Sequence, residues 1–228
     1  MSSAAPTSVR DRWILHFTHV ENLPIIAATG RLACDVSARA GLTRTEVGDP
    51  AIKDSRRRRQ IPIGPRGYVG DYVPFYFAPR SPMMYRIACD HRDSIPGRYA
   101  GGDRHLVYLA ATVGAVVDAG LAWVATDGNA ANAATTFTTT LDELDSMVDW
   151  PLMFAERWNS TDDDPDRQRR RMAEFLVHRE VPLAVFQQVA AYDLAHAAQA
   201  RATLGDHHLA SRVAVVPAWY YGFQRPGG

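Results

Sequence analysis

The chain is expected to fold as a mixed α/β or α+β unit. Short apolar runs with strand composition alternate with short segments of helical periodicity from Trp13 to Val216. No 20–50-residue repeat and no persistent heptad interrupts that alternation. With 228 residues, 46 % of them hydrophobic, the chain is long enough for a sizeable core and suits one domain or at most two. No good linker divides it, so residues 1–228 read as a single domain with its core in 11–221.

Residues 1–11 read as a loose start and 13–18 as a strand. A helix follows from 19, with Leu23, Ile26 and Ala27 at helical spacing and Gly30 as its stop. Residues 41–48 read as a loop. Lys53 and Arg56 to Arg59, with Asp54, carry a net of about four positive charges, and Gly64, Pro65 and Gly67 form a turn-rich connector. Residues 73–77 form an aromatic strand in which Pro74 favours the beginning or a sheet edge. Residues 78–85 turn into a helix. Residues 105–109 read as a core strand, 112–119 as a helix and 121–124 as a strand. Asp127-Gly128-Asn129 is a turn, 130–140 is ambiguous between states, and 141–150 is a short helix. After the polar turn 158–166 and an arginine cluster, 174–177 is strongly apolar and Pro182 closes it. Residues 183–204 read as the clearest amphipathic helix, with Val185, Val189, Tyr192 and His196 near one stripe. Residues 213–216 are the last strand.

Composition excludes several classes of function. Lys+Arg and Asp+Glu are both 25, so no global field steers a polyanion to this chain, although a local basic groove is allowed. Cys34 and Cys89 make no disulfide framework, lack an activating context and agree with a reducing compartment. No run approaches the roughly 18 apolar residues of a membrane span, and the N-terminus lacks a long apolar signal region. A cytoplasmic protein is expected. HExxH, paired CxxC, P-loop, GxGxxG and GxSxG motifs are all absent, so zinc catalysis, Walker-type NTPase chemistry, Rossmann redox chemistry and serine hydrolysis lack support.

Among the residues that could carry chemistry, Glu174 stands out because an apolar run flanks it. It either turns to solvent or pairs with one of Arg169 to Arg171, or it stands at the edge of a cleft, where it can accept a proton or stabilise a developing cation. The Arg56–Arg59 cluster is either solvated surface or a phosphate-binding element; in a helix Arg56 and Arg59 share a face. Arg167, Arg169, Arg170 and Arg171 lie beside Asp162, Asp163, Asp164 and Asp166. They either pair among themselves or, with Trp158, supply a single-strand groove. His16 and Thr18 share one face of a strand, a pairing that is more often structural than functional.

Five ordered segments together resemble the DarT family, the DNA ADP-ribosyltransferase toxins of bacterial DarT–DarG toxin–antitoxin pairs. They are Leu15-His16-Phe17-Thr18-His19-Val20-Glu21-Asn22-Leu23, Ile52-Lys53 with the arginine run and Ile61-Pro62, the stretch from Asp71-Tyr72-Val73-Pro74 to Tyr85, Asp127-Gly128-Asn129-Ala130, and Trp158-Asn159 with Asp164 to Val177. The likeness spans nearly the whole chain, from about Trp13 to Tyr221. It implies the ADP-ribosyltransferase fold, an α+β domain with a split central β-sheet and surrounding helices. It also implies NAD⁺ as co-substrate, no metal, and transfer of ADP-ribose to thymine in a short context of single-stranded DNA. A related branch modifies guanine.

Roles carried over from the resemblance place Glu174 as the catalytic glutamate and Arg56, with Arg57 as the alternative register, as the important arginine. His16, Thr18, Asn22, Arg56, Tyr76, Ser81 and Met84 are expected at NAD⁺, with Tyr85 a further pocket candidate. Of the adjacent pair Tyr76 and Phe77, only one can face the cleft, and Tyr76 is chosen. Trp158, Asn159, Arg167 and Arg170 are expected at the DNA. Asn129 stands where relatives usually carry histidine, which keeps hydrogen bonding but removes a group that titrates near neutrality. The expected partners are single-stranded DNA and a DarG-type antitoxin whose macrodomain reverses the mark; no membrane is expected. The alternatives are a same-fold transferase acting on guanine, RNA or protein, an NAD⁺ glycohydrolase, and a non-catalytic nucleic-acid-binding module.

Overall fold

The computed structural model of the chain describes residues 8–38, 41 and 43–225. Most of the expected loose start, residues 1–7, lies outside the described residues, as does position 42 of the expected loop.

Strand β1 (Trp13–His19) runs into a 3-10 turn and helix α1 (Leu23–Thr29), which stops at Gly30 in the left-handed region, φ 68°. Strand β2 (Arg31–Ala33) and helix α2 (Asp35–Ala38) follow, then helix α3 (Pro50–Arg58), whose N-cap Asp49 accepts from the backbone of Ala51 and Ile52. Strand β3 (Tyr72–Tyr76) leads to helix α4 (Pro82–Arg92), capped by Ser81. Strand β4 (Leu106–Thr112), helix α5 (Val113–Asp118), strand β5 (Trp123–Thr126) and strand β6 (Phe137–Thr138) come next, so the ambiguous stretch 130–140 holds one very short strand. Helices α6 (Leu141–Met147), α7 (Trp150–Met153) and α8 (Arg167–Arg170) precede strand β7 (Glu174–His178) and strand β8 (Glu180–Pro182). Strand β9 (Gln188–Ala191), helix α9 (Leu194–Leu204) and strand β10 (Val213–Val215) complete the order.

Two expectations need correction. The amphipathic helix expected over 183–204 is a 3-10 turn, strand β9 and then α9. Val189, Ala190 and Ala191 are fully buried between β4 and β10, and a short apolar run satisfies a central strand as well as a helical stripe. Asp193 separates the two elements by accepting from the backbone of His196 at 2.9 Å. Pro74, expected at a strand beginning or a sheet edge, sits inside β3 in the middle of the sheet.

The reason lies in the sheet itself. Its order is β10-β9-β4-β1-β3-β7-β5-β6. β1 pairs with β4 along its whole length and β3 with β7 along its whole length, but β1 and β3 meet at one position, Leu15 opposite Tyr76. The sheet is therefore two four-stranded halves hinged at that pair. In β3 the peptide groups of alternate residues face β1, and at Pro74 that side is open. Its missing N–H deprives no partner, and its carbonyl accepts from His16 Nδ1 at 2.8 Å.

Residues alternate between the two faces with period two. Val107, Leu109 and Ala111 of β4, Val73 and Phe75 of β3, and Phe175 and Val177 of β7 build one large core under helices α1, α5, α6 and α9. The opposite face carries two smaller clusters. One surrounds Phe17, Tyr76, Tyr108 and Tyr220; the other surrounds Ile61, Tyr72, Val124 and Leu176. A small second sheet pairs β2 with β8.

Candidate active site

Beyond the Leu15–Tyr76 pair, β1 and β3 diverge and a cleft of about 510 Å³ opens between the halves. His16 and Thr18 of β1, Pro74 and Tyr76 of β3, Arg56 of α3 and the turn residue Asn129 all line it. Met83, Tyr85 and Arg86 line it from α4, and Trp158 and Asn159 from the loop before β7.

Glu174 opens β7 directly opposite Tyr76 and is 1 % exposed. The solvent-facing reading is therefore excluded, and its partner is Arg56, none of Arg169 to Arg171. Oε1 accepts from Arg56 Nη1 and from the backbone N–H of Ala130, each at 3.0 Å. Oε2 lies 2.9 Å from Arg56 Nη2 without the alignment of a hydrogen bond, and it has no hydrogen-bond partner among the described residues. Burial alone would lower the pKa of the Arg56 guanidinium, but the Glu174 carboxylate raises it above its ordinary value. The pair is thus a close ion pair in which both carboxylate oxygens face the guanidinium and Oε1 also accepts hydrogen bonds.

Thr126, at the end of β5, supports this arrangement. Its Oγ1 accepts from the Glu174 backbone N–H at 3.0 Å and donates to the Gly128 carbonyl at 2.7 Å, tying the 127–130 turn to the first residue of β7. Asn129 Oδ1 accepts from Ala131 N at 2.9 Å and so caps that turn. A Cβ on Gly128 would meet Arg169 Nη1 at 2.6 Å and the Arg169 carbonyl oxygen at 3.1 Å, so the close approach of α8 requires glycine there.

His16 donates from Nδ1 to the Pro74 carbonyl, which leaves Nε2 as an unprotonated acceptor. Burial pulls its pKa down to about 4, against the bond to Pro74. The Thr18 hydroxyl accepts from Asn22 Nδ2 at 2.9 Å. Asn22 also donates to the Thr45 carbonyl and accepts from the backbone N–H groups of Arg44 and Thr45, so its amide is fully engaged within the protein. Tyr76 stacks on Phe17, with centroids 6.1 Å apart and planes 12° from parallel, and burial holds its phenol well above the usual range. Phe77 turns away into the core against Trp150 and Phe175.

Several expected positions lie elsewhere. Ser81 is buried as the cap of α4, accepting from Met84 N at 3.3 Å, and Met84 packs on the core face of that helix, where its Sδ accepts from Tyr108. Neither lines the cleft, since Pro82, Met83, Tyr85 and Arg86 occupy the helix face that does. Arg57 pairs with Asp35 and Arg58 with Asp54. Arg59 lies beyond the end of α3, above the Phe137 ring, and does not share the cleft-facing side with Arg56. Arg170 is held by Asp149 and Asp164, while Arg167 donates to the Arg157 carbonyl and forms no ion pair among the described residues. Trp158 is mostly buried, edge-on to Tyr85 at 5.7 Å, and Asn159 is exposed. Thr126 and the Ala130 N–H carried no sequence signal of their own, since one is a strand-end threonine and the other a backbone group.

Over residues 15–221 the chain matches the family model described as DarT, ssDNA thymidine ADP-ribosyltransferase. It is 38 % identical over 213 residues to the DNA ADP-ribosyl transferase of Mycobacterium tuberculosis (strain ATCC 25618 / H37Rv), covering 92 % of this chain and 89 % of that relative. A second relative, the DNA ADP-ribosyl transferase of Thermus aquaticus (strain ATCC BAA-2747 / Y51MC23), is 33 % identical and covers 91 % and 88 %. The structure of Thermus sp. 2.9 DarT in complex with ADP-ribosylated ssDNA superposes with a TM-score of 0.85 at 29 % identity, covering 97 % of this chain and 100 % of that one. The same protein in complex with NAD⁺ gives 0.79 at 29 % identity, with 96 % and 100 % covered.

Proposed function

This chain belongs to the DarT family of single-stranded-DNA thymidine ADP-ribosyltransferases, and from that premise we infer how its own residues act. It is an NAD⁺-dependent DNA ADP-ribosyltransferase that transfers ADP-ribose to thymine in single-stranded DNA, as a toxin.

The observation that carries the reading is Glu174 Oε2, a buried carboxylate oxygen without a hydrogen bond among the described residues, held beside Arg56 and opposite Tyr76, both of which line the cleft. A ribose hydroxyl is the kind of donor that satisfies it. Glu174 then holds the sugar and places negative charge against the cation that develops at its anomeric carbon as nicotinamide departs. Arg56 holds that carboxylate in place through Oε1, so its role is to position Glu174 rather than to neutralise the diphosphate. His16 Nε2 can accept a hydrogen bond from a hydroxyl, and the Thr18 hydroxyl can donate one. Asn22 acts on Thr18 and on the 44–45 loop. The Tyr76–Phe17 stack offers a flat aromatic wall, suited to the nicotinamide ring.

Trp158 and Asn159 face the cleft where the acceptor base would enter. An unpaired strand presents that base without an opening cost. Arg167, which has no carboxylate partner among the described residues, is suited to a backbone phosphate, whereas Arg170 is committed to holding its loop through Asp149 and Asp164. A partner of DarG type, with a macrodomain that removes the mark, follows from the family's pairing of toxin and antitoxin. NAD⁺ and DNA are both cytoplasmic in bacteria, where we place the protein; no helix among the described residues is long and apolar enough to cross a membrane.

The test is mass spectrometry of short single-stranded oligonucleotides incubated with the protein and NAD⁺, beside a Glu174→Gln variant. An ADP-ribose adduct on thymine-containing strands, reduced at least 100-fold in the variant, is expected. An adduct that follows guanine would replace the acceptor and keep the mechanism. Nicotinamide release at the same rate with and without DNA would make the protein a glycohydrolase.

A further inference from the structure

Arg171, the residue that closes α8, is buried. No carboxylate pairs with its guanidinium, and Nε and Nη1 have no hydrogen-bond partner among the described residues. Its Nη2 donates to the Pro79 carbonyl at 2.8 Å and to the Arg80 carbonyl at 3.4 Å. An apolar side chain generally fills a buried site at lower cost than a cation without a counter-ion, so stability does not explain an arginine here. What the arginine adds is its hold on the turn at 79–80.

That turn joins β3 to α4 and is held from two further directions. Tyr221 donates from its hydroxyl to the Arg80 carbonyl at 2.8 Å, and its own backbone N–H is fixed by the buried Asp103 carboxylate at 2.6 Å. The Tyr108 hydroxyl of β4 accepts from the Arg80 N–H at 3.2 Å. Arg80 itself has φ 56°, in the left-handed region, which a residue with a side chain occupies only where its surroundings hold it. Its guanidinium lies 4.6 Å above the Tyr221 ring. The direction in which α4 leaves the sheet is thus set by contacts from outside the β3–α4 segment.

Those contacts join two parts of the cleft wall. Helix α4 carries Met83, Tyr85 and Arg86, and the segment that ends at Arg171 carries Trp158, Asn159 and Gln168. Trp158 and Tyr221 both stand edge-on to the Tyr85 ring, at 5.7 and 5.1 Å. The residues assigned to the sugar are held separately: His16 by Pro74, Thr18 by Asn22, and Glu174 by Arg56, Ala130 and Thr126. We propose that Arg171 and Tyr221 are positioning residues for the acceptor: by clamping the Arg80 turn they fix α4 against the segment before β7 and so align the incoming base with the sugar, without themselves touching NAD⁺ or DNA. The proposal rests on the DNA-modifying reading of the cleft.

When the base is misaligned, water takes its place. In both cases nicotinamide leaves and a proton is lost, but the new bond at the anomeric carbon is to water oxygen, giving free ADP-ribose, instead of to the base nitrogen. The adduct formed per nicotinamide released therefore reads alignment. It would be compared on one thymine-containing strand for the wild type, Tyr221→Phe, Arg171→Met, Arg171→Lys and the double variant Tyr221→Phe/Arg171→Met, with NAD⁺ affinity measured in the absence of DNA. Tyr221→Phe and Arg171→Met should each lower that ratio by about tenfold and leave NAD⁺ affinity within about twofold. Arg171→Lys, which keeps a donor for the Pro79 carbonyl, should recover most of it. Because both residues act through one turn, the double variant should fall within about twofold of the poorer single one. Hydrogen exchange without substrates gives a second readout. In Tyr221→Phe, which removes one hydroxyl and keeps the ring, residues 79–86 and 158–171 should exchange faster together, by about tenfold. An unchanged ratio, a parallel loss of NAD⁺ affinity, an Arg171→Lys ratio as low as that of Arg171→Met, a double-variant loss equal to the product of the single ones, or exchange that rises in only one segment would overturn the clamp. Coupled exchange with no adduct from the wild type would keep the clamp and overturn the reading of the cleft.

Discussion

At the scale of single residues, the site is built on a buried ion pair whose members are costly to separate. Arg56 and Glu174 are close enough to compensate each other, and removing one leaves the other charged and desolvated, a change of about 3–5 kcal/mol. Arg56→Gln should therefore lower unfolding stability by that order, and the double variant Arg56→Gln/Glu174→Gln should recover a large part of it. A double-mutant cycle by denaturant unfolding checks this, and strict additivity would show the pair to be uncoupled. His16 makes a separate statement about pH. Its folded pKa, about 4, lies below the ordinary value of 6.5, so the unfolded chain binds a proton that the folded one refuses between those values. Its contribution to stability is complete above pH 6.5 and is lost as pH falls towards 4. Thermal midpoints of the wild type and His16→Phe should diverge at neutral pH and converge across that window. A parallel pair of curves would mean that His16 titrates normally.

At the scale of elements, chain breaks and caps decide which side chains reach the cleft. Helix α4 presents Pro82, Met83, Tyr85 and Arg86 to the cleft and buries Met84, while Ser81 is occupied as its cap. Ser81→Ala should accordingly cost about 1 kcal/mol of stability and leave the transfer rate and the Michaelis constant for NAD⁺ within about twofold. A tenfold rise in that constant with unchanged stability would instead return Ser81 to the binding site. The β1–β3 joint works by omission. Because the strands pair only at Leu15–Tyr76, the space a continued ladder would fill is available to a ligand, and Pro74 fits there because no ladder bond is asked of it.

At the scale of the whole molecule, charge is abundant but largely compensated. Arg57, Arg58, Arg169 and Arg170 are each tied to aspartates, so the sequence clusters that suggest a polyanion groove are mostly spent on the protein's own carboxylates. With a net charge of zero, affinity for single-stranded DNA must come from few phosphate contacts and from base stacking. At about 0.7 counterions released per phosphate, the logarithm of affinity should fall with the logarithm of salt with a slope shallower than about −3. Titrations of one oligonucleotide across salt concentrations measure it, and a slope near that of a strongly basic binder would mean the aspartate pairs open on binding.

Much of this was legible in the residues themselves. The strand composition of 13–18, 73–77 and 174–177, the Gly30 stop of α1, and the anomaly of Glu174 inside an apolar run are local signals set by period and side-chain type. The family motifs supplied the reaction. What the chain order could not supply was partnership across distance. Arg56 is 118 positions from Glu174, and nothing local distinguishes it from Arg57, which points to Asp35 instead. Asn22 lines the cleft but spends its amide on the protein's own hydrogen bonds, while Ser81 and Met84 sit beside cleft residues in sequence and turn into a helix cap and the core. Within the helical stripe expected over 183–204, residues 188–191 became a strand because burial on both faces, a property of the assembled sheet, outweighed the local period, while 194–204 remained helix. Residue type and spacing determined the fold class and the chemistry available to it. Only the tertiary structure decided which carboxylate oxygen and which arginine nitrogens remain unsatisfied, because that depends on every neighbour the fold brings within hydrogen-bond reach.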